Sequence, residues 1–132
     1  MAEIKVNVGQ VSESSSKAEV RSHSTIVDRP EAKGGADKGP MGGELFLMGL
    51  GGCFMSNLLA AVKARDFKAS NLNAELTGTL EESPARFVAV DMKVSGEYDD
   101  KAEMERLVTI AERGCIVANT LKDAVKLTFS VS

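Results

Sequence analysis

The stretch GGELFLMGLGGCFMSNLL, residues 42–59, is apolar for almost its whole length and holds Cys53, one of the chain's two cysteines. The apolar run predicts a helix from about Gly43 to Arg65. A helix that is apolar nearly all round is expected to be buried on most of its sides. Cys53 is therefore either a small buried hydrophobic residue or a nucleophile held in an apolar pocket.

The same stretch is also close to the length of a membrane-spanning helix. Residues 45–62 are at the short end of the roughly 17 to 25 apolar residues that a span needs. They contain several glycines and the polar pair Ser56–Asn57, and strand-like sequence flanks them on both sides. We therefore predict a buried helix of a soluble protein and no membrane partner.

Composition limits the remaining possibilities. The 132 residues are enough for one compact domain, 1–132, and 43% of them are apolar, so a core can form. The formal net charge of −3, with both signs interspersed, argues against nucleic acid as a partner, because phosphate binding needs a basic face. The N-terminus lacks the charged start and apolar block of an export signal, so we expect a cytoplasmic protein.

Strands are predicted on both sides of the apolar helix. Before it, apolar residues alternate from Ile4 to Val8 and, less regularly, over Lys17–Asp28, which predicts a hairpin. Residues 29–43 are rich in glycine and proline and form a long loop. After the helix, alternation over Leu72–Leu80 and Phe87–Glu97 predicts a second hairpin that turns at Ser83–Pro84.

A second helix is predicted over Asp99–Arg113. Asp100 and Glu103 have the spacing of a capping box, and Gly114 is a plausible end of the helix. One apolar stripe runs along this helix to Cys115, which should face inward; its members are Met104, Leu107, Val108, Ala111 and Cys115. A last strand is expected over Val125–Val131.

This order of elements indicates an α+β fold with two main helices and a mostly antiparallel sheet. A small sheet covers only one side of a helix, whereas the first helix is apolar nearly all round. We therefore expect a tight homodimer with this helix near the interface.

Few residues could carry chemistry. His23 is the only histidine, and neither cysteine has the spacing of a metal site, so we expect no bound metal. A redox pair of Cys53 and Cys115 would require their Cα atoms within roughly 7 Å and a positive group that favours the thiolate. Arg21, Arg29 and Glu44 are the groups available for that purpose, and periodicity does not decide among them.

Two motifs make the chain resemble a known family. Glu44–Cys53, ELFLMGLGGC, and Cys115–Leu121, CIVANTL, resemble the two cysteine motifs of the OsmC/Ohr family, the osmotically inducible and organic hydroperoxide resistance thiol peroxidases. The loop at residues 28–40 is similar to the approach to the helix in many members. The predicted order of elements agrees over the whole chain.

The resemblance implies an OsmC-like fold, an intertwined homodimer, and two active sites at the subunit interface. It implies that Cys53 is the peroxidatic cysteine and Cys115 the resolving one, with Arg29 as the first choice for the catalytic arginine, Arg21 as the second, and Glu44 as its partner. Organic hydroperoxides would be the substrates. We expect no bound cofactor, and a dithiol, typically a lipoyl group on a protein, would be the reductant. An apolar pocket is expected from Phe46, Leu50, Phe54 and Met55.

One position departs from the family pattern. Well-studied peroxidases carry a glutamate ten residues before the first cysteine, where this chain has Gly43; Glu44 stands nine residues before it. A shift of one residue turns a helical side chain by about 100°. The alternative interpretation is therefore an OsmC-fold protein that binds a small ligand and has little or no peroxidase activity.

Overall fold

The computed structural model describes residues 1–132, which divide into two compact units, Met1–Phe46 and Leu47–Ser132. Each unit contains one three-stranded sheet. The predicted α+β class with two main helices is confirmed. That residues 1–132 act as a single domain stays a prediction.

The first unit is built on a meander of β1 (Asn7–Gln10), β2 (Ser16–Val20) and β3 (His23–Val27), with all neighbours antiparallel. The prediction of one strand over Lys17–Asp28 is wrong, because the chain reverses at Arg21, which has a left-handed backbone with φ of 54°. Because β2 ends at this turn, Ile4 has no strand opposite it, and the first strand begins later than predicted.

Helix α1 covers Gly42–Ala64, within a residue of the predicted bounds. Its buried positions lie on one face: Leu50, Gly51, Phe54, Leu58 and Ala61. The expectation that α1 is buried on most sides is wrong for the single chain, since Met48 and Leu59 are half exposed. The sheet of the second unit covers only one side of the helix, which leaves these apolar side chains in solvent.

By length and composition alone, α1 would also qualify as a membrane span. Only 28% of its most apolar window is buried in the chain. A single helix of this kind is weak evidence for a membrane protein, because the core helices of soluble proteins pass the same test.

The second unit holds the sheet β4 (Ala69–Glu81), β5 (Arg86–Tyr98) and β6 (Lys126–Val131). The antiparallel hairpin of β4 and β5 is confirmed, and β6 pairs with β5 in parallel. Val90, Met92 and Val94 of β5 are buried in the apolar core. Gly51 of α1 allows close packing against the sheet, because a Cβ there would lie 2.9 Å from a methyl carbon of Leu76.

Helix α2 covers Lys101–Gly114, as the capping and the apolar stripe predict. The Asp100 side chain caps it by accepting a hydrogen bond from the backbone N–H of Glu103 at 3.0 Å. The whole stripe is buried, including Cys115. A short helix that was not predicted, α3 (Ile116–Leu121), follows directly.

Candidate active site

The second unit brings the two cysteines into contact. Cys53 is half-buried in the middle of α1, and Cys115 is fully buried between α2 and α3. Both are free thiols, and they lie close enough that each shifts the pKa of the other. Two residues that are far apart in the sequence therefore form one dithiol site.

The surroundings of Cys53 favour its thiolate. Burial by itself raises the pKa of the Cys53 thiol. Hydrogen bonds oppose burial and lower the pKa below its ordinary value; the backbone N–H of Val117 contributes most, then the Cys115 thiol, then the N–H of Ile116. Cys53 is thus activated by groups at the start of α3 and by the second cysteine.

The surroundings of Cys115 favour its protonated form. Burial raises the pKa of the Cys115 thiol, the backbone N–H of Ala118 opposes this, and the contact with Cys53 raises the pKa further. The Cys115 sulfur also caps α3, because it accepts a hydrogen bond from the Ala118 N–H at 3.4 Å. A protonated Cys115 can donate its S–H to a Cys53 thiolate, so the two thiols have complementary states.

The sequence did not reveal the amides of Ile116 and Val117 as part of the site. Every residue except proline has a backbone N–H, so a backbone donor in a site cannot be recognised from the residue types in the sequence. Only the direction in which α3 starts, immediately after Cys115, places these donors beside Cys53. No group of three or more His, Cys, Asp or Glu side chains is arranged to hold a metal ion.

The other predicted catalytic residues lie in the first unit. Arg29 is exposed at the start of the long loop, and Arg21 occupies the turn between β2 and β3. Glu44 is in the first turn of α1, where its Oε1 accepts a hydrogen bond from the backbone N–H of Met41 at 2.8 Å. Their roles with Cys53 stay predictions.

A buried carboxylate shapes the loop that follows Arg29. Asp28 Oδ1 accepts from the N–H of Arg29 at 2.7 Å, and Oδ2 accepts from the N–H groups of Ala36 and Lys38 at 3.2 Å each. Burial raises the pKa of Asp28, but these hydrogen bonds outweigh it and hold the pKa below its ordinary value. The loop therefore has a defined backbone, in which the short 3-10 helix Glu31–Lys33 lies.

The predicted pocket residues differ in exposure. Leu50 and Phe54 have no exposed surface, and the Phe54 ring packs on Phe129 with centroids 5.4 Å apart. Phe46 is half-buried. Met55 is on a groove of about 310 Å³ between α1 and β4, lined by Met48, Gly51, Gly52, Met55, Leu72, Asn73, Ala74 and Leu76. Contact of any of these side chains with a substrate stays a prediction.

Residues 35–130 match the family model described as OsmC-like protein. The chain belongs to the OsmC-like family. The resemblance carried by the two cysteine motifs is thereby confirmed, and the match covers both cysteines of the dithiol site. None of the curated proteins matches the chain.

Solved structures share this OsmC-like fold. A hypothetical protein from Aquifex aeolicus VF5 is 20% identical, with a TM-score of 0.85, over 100% of this chain and 96% of its own. An OsmC-like protein from Mycoplasma pneumoniae is 17% identical, with a TM-score of 0.87, over 99% and 96%. An organic hydroperoxide resistance protein OsmC from Legionella pneumophila, also described as a predicted redox protein, is 20% identical, with a TM-score of 0.75, over 100% and 99%. At these identities the likeness shows the fold.

Proposed function

We propose that the protein is a thiol peroxidase that reduces organic hydroperoxides and, less readily, hydrogen peroxide. The observation that carries the proposal is the contact between two free thiols whose pKa values are moved in opposite directions. A nucleophilic thiolate and a protonated resolving thiol are the two groups that such a reaction requires.

The reaction uses the two thiols in sequence. The Cys53 thiolate attacks one oxygen of the hydroperoxide; an S–O bond forms, the O–O bond breaks, and the alcohol leaves after taking up a proton. The Cys115 sulfur then attacks the Cys53 sulfenic acid, an S–S bond forms, and water leaves. A dithiol, such as the lipoyl group of a lipoylated protein, reduces the disulfide by exchange.

Charged and apolar side chains would complete the active site. Arg29 would stabilise the Cys53 thiolate and Glu44 would hold Arg29, while Phe46, Leu50, Phe54 and Met55 would form the apolar side of the site. The protein would act as a homodimer in the cytoplasm, without a bound cofactor and without nucleic acid or membrane partners. The exposed apolar side chains of α1, Met48 and Leu59, support burial of this helix by a second copy.

Peroxide consumption tests the proposal directly. One equivalent of cumene hydroperoxide added to the reduced protein should be consumed, and both thiols should disappear in a thiol titration. Cys53→Ser should abolish consumption, whereas Cys115→Ser should still react and leave a Cys53 sulfenic acid that dimedone traps. Full recovery of both thiols after minutes with peroxide would disprove peroxidase activity.

The pH dependence of alkylation tests the assignment of roles. Because its pKa is lowered, Cys53 should react with iodoacetamide at a lower pH than Cys115, whose pKa is raised. Mass spectrometry after short labelling at a series of pH values gives both profiles. Labelling of Cys115 before Cys53 would reverse the proposed roles.

A second candidate is an OsmC-fold protein that binds a small ligand with little or no peroxidase activity. The hydrogen bond from the Met41 N–H to Glu44 favours it, because this carboxylate already serves the start of α1. Glu44→Gln separates the two candidates. If the protein is an active enzyme whose Arg29 depends on Glu44, the variant should lose most of the peroxide turnover. If instead turnover is slow in the unmodified protein and equally slow in Glu44→Gln, the binding protein is favoured.

A further inference from the structure

Asn57 is a polar side chain of α1 that reaches from the turn carrying Cys53 to the end of α2. Its Nδ2 donates a hydrogen bond to the carbonyl oxygen of Cys53 at 3.1 Å. Its Oδ1 lies on the other side, 3.3 Å from the position that a Cβ on Gly114 would occupy. One half-buried side chain thus fills the space between the Cys53 turn and the residue that precedes Cys115.

The glycine at position 114 is explained by this contact. Gly34 is the one glycine with positive φ, so the backbone of Gly114 is of a kind that any residue can adopt. A Cβ at Gly114 would instead press on the Asn57 amide, with Oδ1 at 3.3 Å and Cγ at 3.6 Å. The absence of a side chain therefore lets the end of α2 approach α1 closely.

We propose that Asn57 and Gly114 together set the separation of the Cys53 and Cys115 sulfurs, with Asn57 as a positioning residue for closure of the disulfide. The proposal rests on the proposed function, in which Cys115 displaces water from the Cys53 sulfenic acid. A disulfide tolerates only a narrow range of Cβ separations, about 3.5 to 4.5 Å. A shift of a few tenths of an ångström between α1 and α2 therefore affects closure more than the first reaction with peroxide.

Two variants and their combination test the contact. Gly114→Ala should slow disulfide closure about tenfold, since small misplacements of reacting groups are costly. Asn57→Ala in the same chain should restore closure to at least the rate of Asn57→Ala alone, because it removes the atoms that the new methyl group meets. Asn57→Ala alone should slow closure about threefold through loss of the spacer. Gly49→Ala and Ser56→Ala are the matched controls and should close at the original rate.

The controls resemble the test positions, but no side-chain atom of either would lie within 4 Å of a Cβ on Gly114. A Cβ at Gly49 would have nothing within 4 Å. Ser56 makes the same kind of bond as Asn57, because its Oγ donates to the carbonyl oxygen of Gly52, four residues earlier, at 2.9 Å. A difference between Asn57→Ala and Ser56→Ala therefore reports the contact with Gly114 rather than the loss of a bond within the helix.

Two measurements give the rates and the equilibrium. After mixing with cumene hydroperoxide, dimedone labelling follows the sulfenic acid and mass spectrometry follows the disulfide. Gly114→Ala should form sulfenic acid at the original rate and accumulate it, whereas a general loss of structure would slow both steps. In a glutathione buffer, the Cys53–Cys115 dithiol is in equilibrium with its disulfide, as one oxidised glutathione is converted to two reduced glutathione molecules. Gly114→Ala should shift this equilibrium about tenfold toward the protein dithiol.

The outcomes separate this proposal from the proposed function. The glutathione equilibrium requires no peroxide, so a shifted equilibrium with thiols that peroxide leaves intact would support the positioning role and disprove the peroxidase. Closure of Gly114→Ala at the original rate, or failure of Asn57→Ala to restore it, would overturn the positioning role. If Gly114→Ala does not fold, closure of Asn57→Ala at the original rate overturns it equally.

Discussion

The two units of the chain bury different kinds of side chain. In Met1–Phe46 the buried residues are polar, Ser15 and Asp28, whereas in Leu47–Ser132 they are apolar apart from the Cys115 thiol and Gly51. Hydrogen bonds to buried groups therefore organise the first unit, and burial of apolar surface organises the second. The dithiol site lies in the unit with the apolar core, which can hold two thiols in a fixed relation.

The largest expected effect is on the core of the second unit. Phe54→Ala should lower the free energy of unfolding by about 3–5 kcal/mol, because it removes a fully buried ring and leaves a cavity beside Phe129. Urea denaturation followed by circular dichroism measures the change. Leu80→Ala, at a side chain that is 58% exposed, is the control and should change the stability by less than about 0.5 kcal/mol. Equal losses would contradict the assignment of the core.

A smaller and more local effect is expected in the first unit. Asp28→Asn replaces one acceptor oxygen with an NH2 group that faces backbone N–H donors, so the loop should loosen. Limited trypsin digestion should cut more quickly after Lys33, which lies in this loop. Asp37→Asn is the control, because asparagine tolerates the left-handed backbone of that exposed residue, φ of 54°. A loop equally resistant in both variants would show that the Asp28 hydrogen bonds do not hold it.

Acid should loosen the same loop in the unmodified protein, because it protonates Asp28. The pKa of Asp28 is lower in the folded chain than in the unfolded one, so its contribution to stability is present above the unfolded pKa, about 3.9. That contribution is lost as the pH falls through the folded pKa. The loop of the unmodified protein should therefore open progressively as the pH falls below 4. Faster cleavage of the loop by pepsin at a series of pH values measures this opening. The Asp28→Asn loop should be open at every pH.

The smallest expected effect is at the start of α2. Asp100→Ala removes the cap that accepts from the Glu103 N–H, which should cost about 1 kcal/mol of unfolding free energy. Asp99→Ala, one residue earlier and outside the cap, should be nearly neutral. Thermal denaturation of both variants measures the difference. Equal stability of the two would show that the cap adds nothing to the apolar stripe of α2.

Most helices and strands of the second unit can be predicted from the sequence, because the sequence signals for them are local. The apolar run fixes α1, alternation fixes the hairpin of β4 and β5, and the Asp100 cap with its apolar stripe fixes α2 and the inward position of Cys115. Each of these signals depends on residues within a few positions of one another. The two cysteine motifs also identify the family from the sequence alone.

Other features depend on contacts between distant residues, so only the tertiary structure decides them. The left-handed turn at Arg21 divides a stretch that reads as one strand, and α3 is too short for a periodic pattern. The backbone N–H groups beside Cys53 have no sequence signal at all. The sequence by itself determined which thiols could react; the packing of α1 against the junction of α2 and α3 decided that they meet, because the position of a contact depends on how the elements assemble.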